Sequence, residues 1–306
     1  MDLLHSDELP VTGSLVGALV RSQFPRYANW QVTRLGDSGS SNVLFALDDV
    51  AGSGRVLVRL PRQPGGGATV QKEADWLPTI GAGLSAPTPV VLGVGESAFG
   101  YPETWSITSW LQGRRLRAPG GEHLGEDIAH FVTQLREVPI PDAAVGDDRL
   151  RWYRGESLAA MGDDFQEAAA ACRSASLPLD VDRAVAVWAD ALAAAHSVSA
   201  ETAWYHGDLL IENLLVDDEG RLAGVLDFGG LGVGDPTVDL IVAWEALDRA
   251  GRSALWSALD VDDAQIAVSR GWALLIAFIT FPYYGATMPA RCADRLIMAQ
   301  AAIEGD

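Results

Sequence analysis

Three oxygen-bearing side chains between residues 206 and 229 have the types and the spacing that phosphoryl transfer requires. Four residues separate Asp208 from Asn213, as in the H-x-D-x-x-x-x-N loop of phosphoryl-transfer enzymes, and Asp227 opens a D-F-G triplet. A carboxylate such as Asp208 can accept the proton of an incoming hydroxyl group. Amide and carboxylate oxygens such as those of Asn213 and Asp227 are ligands that Mg²⁺ prefers. The segment therefore predicts a magnesium-dependent phosphoryl-transfer site.

A predicted β-hairpin would bring these side chains together. Residues 214–216 and 221–226 are strand-like, and the sequence Asp-Asp-Glu-Gly at residues 217–220 between them is a strong turn signal. Such a hairpin returns Asn213 and Asp227 to the same end of the ribbon. The alternative is that these are ordinary turn acids beside a buried strand pair, but matched spacing at three positions favours the functional interpretation.

The elements around this segment predict a small β-rich N-terminal lobe and a larger helical C-terminal lobe, an α+β fold class. Apolar residues at helical or alternating spacing, separated by Gly- and Pro-containing turns, indicate the elements. The predicted boundaries are residues 1–108 for the nucleotide-binding lobe, 109–113 for a hinge and 114–306 for the catalytic and substrate lobe. Helices are expected near residues 15–20, 70–77, 182–196 and 261–281, and strands at 42–47, 55–60, 90–94 and 106–110.

The acidic composition narrows the class of partner. The chain has 22 basic and 41 acidic residues, a net charge of −19, and Lys72 is its only lysine. This balance argues against a nucleic-acid partner and favours cationic small molecules. Two cysteines are too few for a disulfide framework, residues 1–8 do not look like a signal peptide, and the apolar stretch at 272–281 is shorter than the roughly 20 residues of a membrane helix. We expect a soluble, cytoplasmic protein without a membrane partner, and its oligomeric state stays open.

The segment resembles the aminoglycoside phosphotransferase family, which shares its two-lobed fold with protein kinases. The resemblance rests on the phosphoryl-transfer loop, on Gly207 where protein kinases carry Arg, and on the G-D-P-x-x-D-L element at residues 234–240. It implies that Asp208 is the catalytic base, that Asn213 and Asp227 bind Mg²⁺, and that ATP or GTP is the co-substrate. The remaining motif residues, for which a structural role is preferred, are His206, Asp235 and Asp239.

The resemblance also assigns a basic residue to the nucleotide phosphates, and here the chain departs from the commoner pattern. The family's third strand normally carries Lys, whereas this chain offers Arg59, and Glu73 matches the acid that pairs with it. Arg can hold phosphate through its fork of donors, with different reach. Residues 58–62 look like the macrolide phosphotransferase branch of the family, where Arg also stands in this strand. The alternative is that Arg59 is a solvated charge on the strand face.

Two further segments are placed against the nucleotide by the resemblance. The loop at residues 36–42, with Ser38 and Ser40, lies where the family covers the phosphates, although the same pattern also fits a plain hairpin turn. The segment at 108–113 aligns with the family's hinge, so that the Ser109 carbonyl and the Leu111 amide would face the purine.

The function implied is transfer of the γ-phosphoryl group of ATP or GTP to a hydroxyl group of a small, cationic antibiotic, an aminoglycoside first and a macrolide second, with antibiotic resistance as the implied role. Glu245 and Tyr283 are candidate walls of the acceptor pocket, and a structural role is equally open for both. The sequence lacks a P-loop, a G-x-S-x-G elbow and an H-E-x-x-H zinc motif. The alternatives are a metabolic kinase for choline, a sugar or an amino alcohol, and a weakly catalytic protein that sequesters such ligands.

Overall fold

The computed structural model describes residues 4–36, 39–52, 54–175, 177–198 and 201–305. The chain divides into an N-terminal unit, Met1–Ala82 and Pro87–Gln112, and a C-terminal unit, Gly83–Ala86 and Gly113–Asp306. The predicted α+β class, with a small sheet unit followed by a helical unit, is confirmed.

An antiparallel sheet of five strands in the order β1-β2-β3-β5-β4 forms the frame of the N-terminal unit. Val56, Val58 and Leu60 alternate along β3 and are buried in one core with residues of α1 and β2. Because side chains alternate across a strand, Arg59 lies on the opposite face of β3. The elements of this unit are α1 (Gly13–Gln23), β1 (Gln31–Arg34), β2 (Asn42–Asp48), β3 (Arg55–Pro61), α2 (Gly67–Ala82), β4 (Val91–Gly95) and β5 (Trp105–Ser109).

Helices dominate the C-terminal unit, and two short sheets lie among them. The sheet orders are β6-β8-β9 and β10-β7. The elements are β6 (Arg114–Arg115), α3 (Glu122–Glu137), α4 (Asp142–Val145), α5 (Gly162–Ser174), α6 (Val181–Ala195), β7 (Ala203–Tyr205), β8 (Leu214–Val216), β9 (Leu222–Val225), β10 (Gly232–Gly234), α7 (Val242–Ala246), α8 (Arg249–Leu259), α9 (Asp263–Tyr284) and α10 (Pro289–Glu304).

Helix α9 is the central helix of this unit. It is apolar and long enough to cross a membrane by length and composition, with a mean hydropathy of 1.5, but 67% of its most apolar window is buried inside the protein. It packs against α5, α6 and α10. A capping box between Asp262 and Gln265 fixes its start.

The end of α9 differs from the sequence prediction, which placed the helix at residues 261–281. The helix continues through Pro282 to Tyr284. Pro282 has no N–H to donate to the carbonyl of Phe278, one turn earlier. The Cys172 thiol of α5 donates to that carbonyl instead, at 3.6 Å. This contact between helices supplies a weak donor to the carbonyl that the proline leaves without its helical hydrogen bond.

Candidate active site

The predicted hairpin is confirmed, and it places Asn213 next to Asp227. Strands β8 and β9 pair antiparallel, beginning with Leu214 opposite Val225 at the open end of the hairpin. A 3₁₀ turn at Ile211–Asn213 leads into β8. The Leu226 amide donates to the Asn213 carbonyl at 2.8 Å, which closes the open end of the ribbon. The two proposed metal ligands therefore flank the same end of one hairpin.

Both carboxylate oxygens of Asp208 are anchored. Asn213 Nδ2 donates to Asp208 Oδ2 at 3.1 Å and to the Asp208 backbone carbonyl at 2.8 Å. Arg154 Nη1 donates to Asp208 Oδ1 at 2.5 Å. The Asp208 side chain nevertheless remains 26% exposed. An anchored but reachable carboxylate has the geometry that a general base needs, because a hydroxyl group can approach it in one fixed orientation.

Arg154 is a site residue that sequence reasoning missed. Its guanidinium carbon lies 4.4 Å from the Trp152 ring centroid, and its Nε donates to the Tyr153 hydroxyl at 2.9 Å. Burial alone would raise the pKa of the Asp208 carboxyl, but the charge and hydrogen bond of Arg154 bring that pKa below its usual value. The proposed base is therefore ionised at neutral pH. A single Arg after two aromatic residues is a weak sequence signal, and it lies 54 positions from Asp208.

The donor set at the hairpin fits one divalent cation that also binds phosphates. Because Nδ2 of Asn213 serves Asp208, its Oδ1 is the oxygen that can face a metal. Asp227 adopts a left-handed backbone conformation at φ 58°, which is uncommon for a residue other than Gly and typical of functional sites. Among the described residues no three His, Cys, Asp or Glu side chains form a metal site by themselves. Mg²⁺ commonly takes one or two protein oxygens and completes its shell with phosphate and water, so the residues present fit it.

The side chains of His206 and Asp239 hold the backbone of the phosphoryl-transfer loop through hydrogen bonds. The buried imidazole of His206 accepts from the Asp208 amide at 3.2 Å and donates to the Leu226 carbonyl at 3.0 Å. The Asp239 carboxylate accepts from the backbone amides of His206 and Gly207 at 2.7 and 2.8 Å. These contacts tie the base to the hairpin, and they are those of the structural role that the sequence favoured for both residues.

The backbone conformation and close packing at residue 207 require glycine. Its φ is +77°, and a Cβ at this position would lie 2.4 Å from the Gly230 carbonyl oxygen. The close approach of two backbone segments therefore leaves no room for a side chain here. Asp235, for which the sequence favours a structural role, accepts from the Thr237 amide at 2.9 Å and caps the 3₁₀ helix at Pro236–Ile241.

Glu245 belongs to a buried charge cluster under the catalytic loop, together with Glu212 and Arg295 of α10. Glu245 accepts from the Ile211 amide at 2.9 Å and pairs with Arg295 Nη1. Arg295 Nη2 donates to Glu212 Oε1 at 2.6 Å. Burial, together with the neighbouring Glu212, raises the pKa of Glu245 to about 7 against the opposing charge of Arg295. Glu245 is 2% exposed, and its contacts are those of the structural alternative that the sequence left open.

Tyr283 lies at a groove of about 540 Å³ formed by residues before and along α5 and by α9. Its side chain is 58% exposed. Tyr153 lines the same groove, and its hydroxyl accepts from the Arg154 side chain that holds Asp208. The groove therefore adjoins the proposed base through two consecutive residues, and the position of Tyr283 fits a pocket wall.

Arg59 and Glu73 form a buried ion pair within the N-terminal unit. Arg59 Nη1 donates to Glu73 Oε2, and the side chains are 8% and 1% exposed. This is the pair that the sequence predicts, and it excludes the alternative of a solvated charge on the strand face. Whether this arginine binds phosphate stays a prediction.

The other nucleotide positions receive no test from the geometry. Ser38 lies outside the described residues. Ser40 is half-buried, and its carbonyl accepts from His5 Nε2 at 2.9 Å. Ser109 ends β5, where its amide donates to the Val90 carbonyl at 2.8 Å, and Leu111 follows in irregular, half-buried chain. The predicted purine and phosphate contacts stay predictions.

Comparison with known protein families supplies the decisive observation. Residues 32–274, which include both the Arg59–Glu73 pair and the phosphoryl-transfer loop, match the phosphotransferase enzyme family. The chain belongs to this family. The predicted family is therefore confirmed.

Curated aminoglycoside phosphotransferases are similar to this chain in sequence. The aminoglycoside 3′-phosphotransferase of Streptomyces fradiae is 27% identical over 248 residues, covering 75% of this chain and 84% of that protein. The aminoglycoside 3′-phosphotransferase of Salmonella typhimurium is 24% identical over 159 residues. That second match spans 47% of this chain and about half, 53%, of the relative's own length.

Solved phosphotransferases share the fold. The GDP complex of aminoglycoside 2′-phosphotransferase IIIa is 18% identical with a TM-score of 0.65, covering 96% of this chain and 99% of that one. The macrolide 2′-phosphotransferase of Brachybacterium faecium is 19% identical with a TM-score of 0.65, at 96% and 99% coverage. At these identities the likeness shows the fold of this phosphotransferase and leaves its acceptor open.

Proposed function

We propose that this phosphotransferase moves the γ-phosphoryl group of ATP or GTP to a hydroxyl group of a small antibiotic. The observation that carries the proposal is the Asp208 carboxylate, anchored at both oxygens beside Asn213 and Asp227 on one hairpin. The acceptor oxygen forms a bond to the γ-phosphorus while its proton passes to Asp208. The bond between that phosphorus and the bridging oxygen breaks, and the electron pair leaves with the nucleoside diphosphate.

Mg²⁺ would be held by Asn213 and Asp227. When bound, it supplies positive charge that offsets the charge on the phosphoryl oxygens. The residues of this chain perform the remaining tasks: Arg59, fixed by Glu73, binds phosphate, and Arg154 orients the Asp208 carboxylate. We take residues 1–108 as the nucleotide-binding lobe, 109–113 as the hinge and 114–306 as the catalytic and substrate lobe, in a cytoplasmic enzyme.

The acceptor class follows from the relatives and from charge. The relatives and structural neighbours are aminoglycoside and macrolide phosphotransferases, and both kinds of antibiotic carry amines. A net charge of −19 supports a cationic acceptor. Choline, sugars and amino alcohols are the metabolic alternatives.

A screen of nucleotide consumption tests the proposal. ATP and GTP are each offered with aminoglycosides, macrolides and amino alcohols, with and without Mg²⁺, and release of nucleoside diphosphate is measured. We expect acceptor-dependent and magnesium-dependent release with at least one antibiotic. Release with metabolic alcohols only would replace the antibiotic by the metabolic alternative, and no acceptor-dependent release with any compound would contradict the proposed reaction.

A further inference from the structure

The groove beside Asp208 is lined mostly by apolar side chains. Met161, Leu275, Ile279 and Pro282 contribute to its wall, and Ala168 and Ala171 of α5 leave space between them. Its volume of about 540 Å³ falls within the roughly 300–1,000 Å³ that is common for small-molecule sites. Binding to such a surface is favoured when the ligand covers apolar area, and the surface offers few hydrogen-bond partners to the ligand's hydroxyl groups.

Polar groups are few in this groove, and their charge is of one sign. The polar side chains are Tyr153, Asp164, Glu167 and Tyr283, and no Arg, Lys or His is among the groove-lining residues that the structure describes. The two carboxylates are exposed on α5. They can pair with a cationic amine of a ligand that covers the apolar wall below them.

We infer that the acceptor of this phosphotransferase is an amphipathic molecule with one apolar face and a cationic amine. A polyamine covered with hydroxyl groups would bring polar atoms against Leu275 and Ile279 with nothing to pair them, whereas an apolar face would lie there without loss. Tyr153 connects the groove to Arg154 and hence to Asp208, so that a hydroxyl group on the bound molecule lies near the base. The inference rests on the proposed function and reverses the order of acceptors that the sequence implies, in which an aminoglycoside comes before a macrolide.

A groove-filling variant tests the location. Ala171→Trp fills the groove, and Ala170→Trp is the matched control, because Ala170 is an exposed neighbour on the same helix outside the lining set. The probe is a 14-membered macrolide with one dimethylamino group, and its binding to the full chain is measured by calorimetry without nucleotide. We expect Ala171→Trp to weaken binding by about tenfold or more, with the control within about twofold. Equal binding by the two variants would overturn the inference.

The carboxylates are tested separately. Asp164→Asn combined with Glu167→Gln should weaken macrolide binding by about twofold to fivefold, as expected for exposed charge pairs. Asp163→Asn, an exposed neighbour outside the lining set, should leave it unchanged. The two carboxylates have no part in recognition if the double variant binds the macrolide like the wild type.

Turnover separates failure of the inference from failure of the proposed function. The wild-type enzyme is compared with the macrolide and with kanamycin, each with ATP and GTP. We expect a higher kcat/KM for the macrolide, and a higher value for kanamycin would overturn the inference while leaving the proposed reaction intact. If the macrolide binds in the groove but no compound is phosphorylated, the proposed function fails and the groove assignment stands.

Discussion

The Arg59–Glu73 pair of the N-terminal unit and the Arg154–Asp208 pair of the C-terminal unit each join a guanidinium to a carboxylate. The two pairs differ in which of the two groups is the more exposed. In the first pair the arginine is the more exposed partner, at 8% against 1% for the glutamate. In the second the carboxylate is more exposed, at 26% against 11%. In each pair the more exposed member is the one that can reach a ligand, while the more buried member fixes its orientation. This difference supports our proposal that Arg59 binds phosphate and Asp208 accepts the proton, with Glu73 and Arg154 as positioning residues.

The largest expected effect is at the exposed member of the second pair. Asp208→Asn keeps the shape of the side chain but removes its basicity, so that turnover should fall by roughly 10²–10⁴ while nucleotide affinity is kept. Asp218→Asn is the control, because this hairpin carboxylate is 99% exposed. Steady-state kinetics and nucleotide titration make the comparison. Near-normal turnover in Asp208→Asn would show that Asp208 is not the base.

The metal ligand should rank next. Asp227→Ala removes a charged oxygen, so turnover should fall by roughly 10² and nucleotide affinity should lose its dependence on magnesium. Calorimetry with and without Mg²⁺ measures the dependence, and Asp218→Ala serves as control. An unchanged response to magnesium would contradict the assignment of Asp227.

The positioning arginine should have a smaller effect with a distinct signature in pH. Arg154→Met leaves Asp208 held by Asn213 alone, and turnover should fall by roughly 10–10² through misorientation. Arg154 lowers the pKa of Asp208, so its loss raises that pKa, and the acid limb of the rate profile should move to higher pH. The exposed Arg151→Met is the matched control. An acid limb at the wild-type position would show that Arg154 does not act on the base.

The smallest expected effect lies in the first pair. Arg59→Ala and Glu73→Ala should each weaken nucleotide binding, and the double variant should be little worse than the worse single variant, with an interaction energy of about 0.5–3 kcal/mol. Arg59→Lys should keep partial activity, since it keeps the charge and loses the fork of donors. The nucleotide KM is measured at saturating acceptor for all four variants. Additive losses in the double variant would show that the two residues act independently.

The two pairs also differ in how far the sequence could predict them. Arg59 and Glu73 are 14 positions apart on consecutive elements, and the resemblance to the aminoglycoside phosphotransferase family implied the pair. The hairpin and its three oxygen-bearing residues were predicted from spacing and turn signals. In local patterns of this kind, the spacing along the chain itself determines how the side chains lie relative to one another.

The supporting arginines could not be predicted because they come from distant elements. Arg154 and Arg295 reach the catalytic loop across 54 and 83 positions, and neither lies in a periodic or motif context that indicates a partner. The sequence left Glu245 open between a pocket wall and a structural role, because nothing in it indicated the partner on α10. Similarly, the donor to the Phe278 carbonyl, which Pro282 leaves without its helical hydrogen bond, is Cys172 on another helix. Such contacts follow from tertiary packing alone.

The central claim is that Asp208 deprotonates an acceptor that receives the terminal phosphoryl group of the nucleotide. The most direct measurement is transfer of γ-labelled phosphate from ATP or GTP to the macrolide and to kanamycin, followed by mass spectrometry of wild-type and Asp208→Asn reactions. The account predicts a singly phosphorylated acceptor carrying the label in the wild type, and at least about 10²-fold slower formation in the variant. Label found only in free phosphate, or equal rates of acceptor labelling in the two proteins, would contradict it.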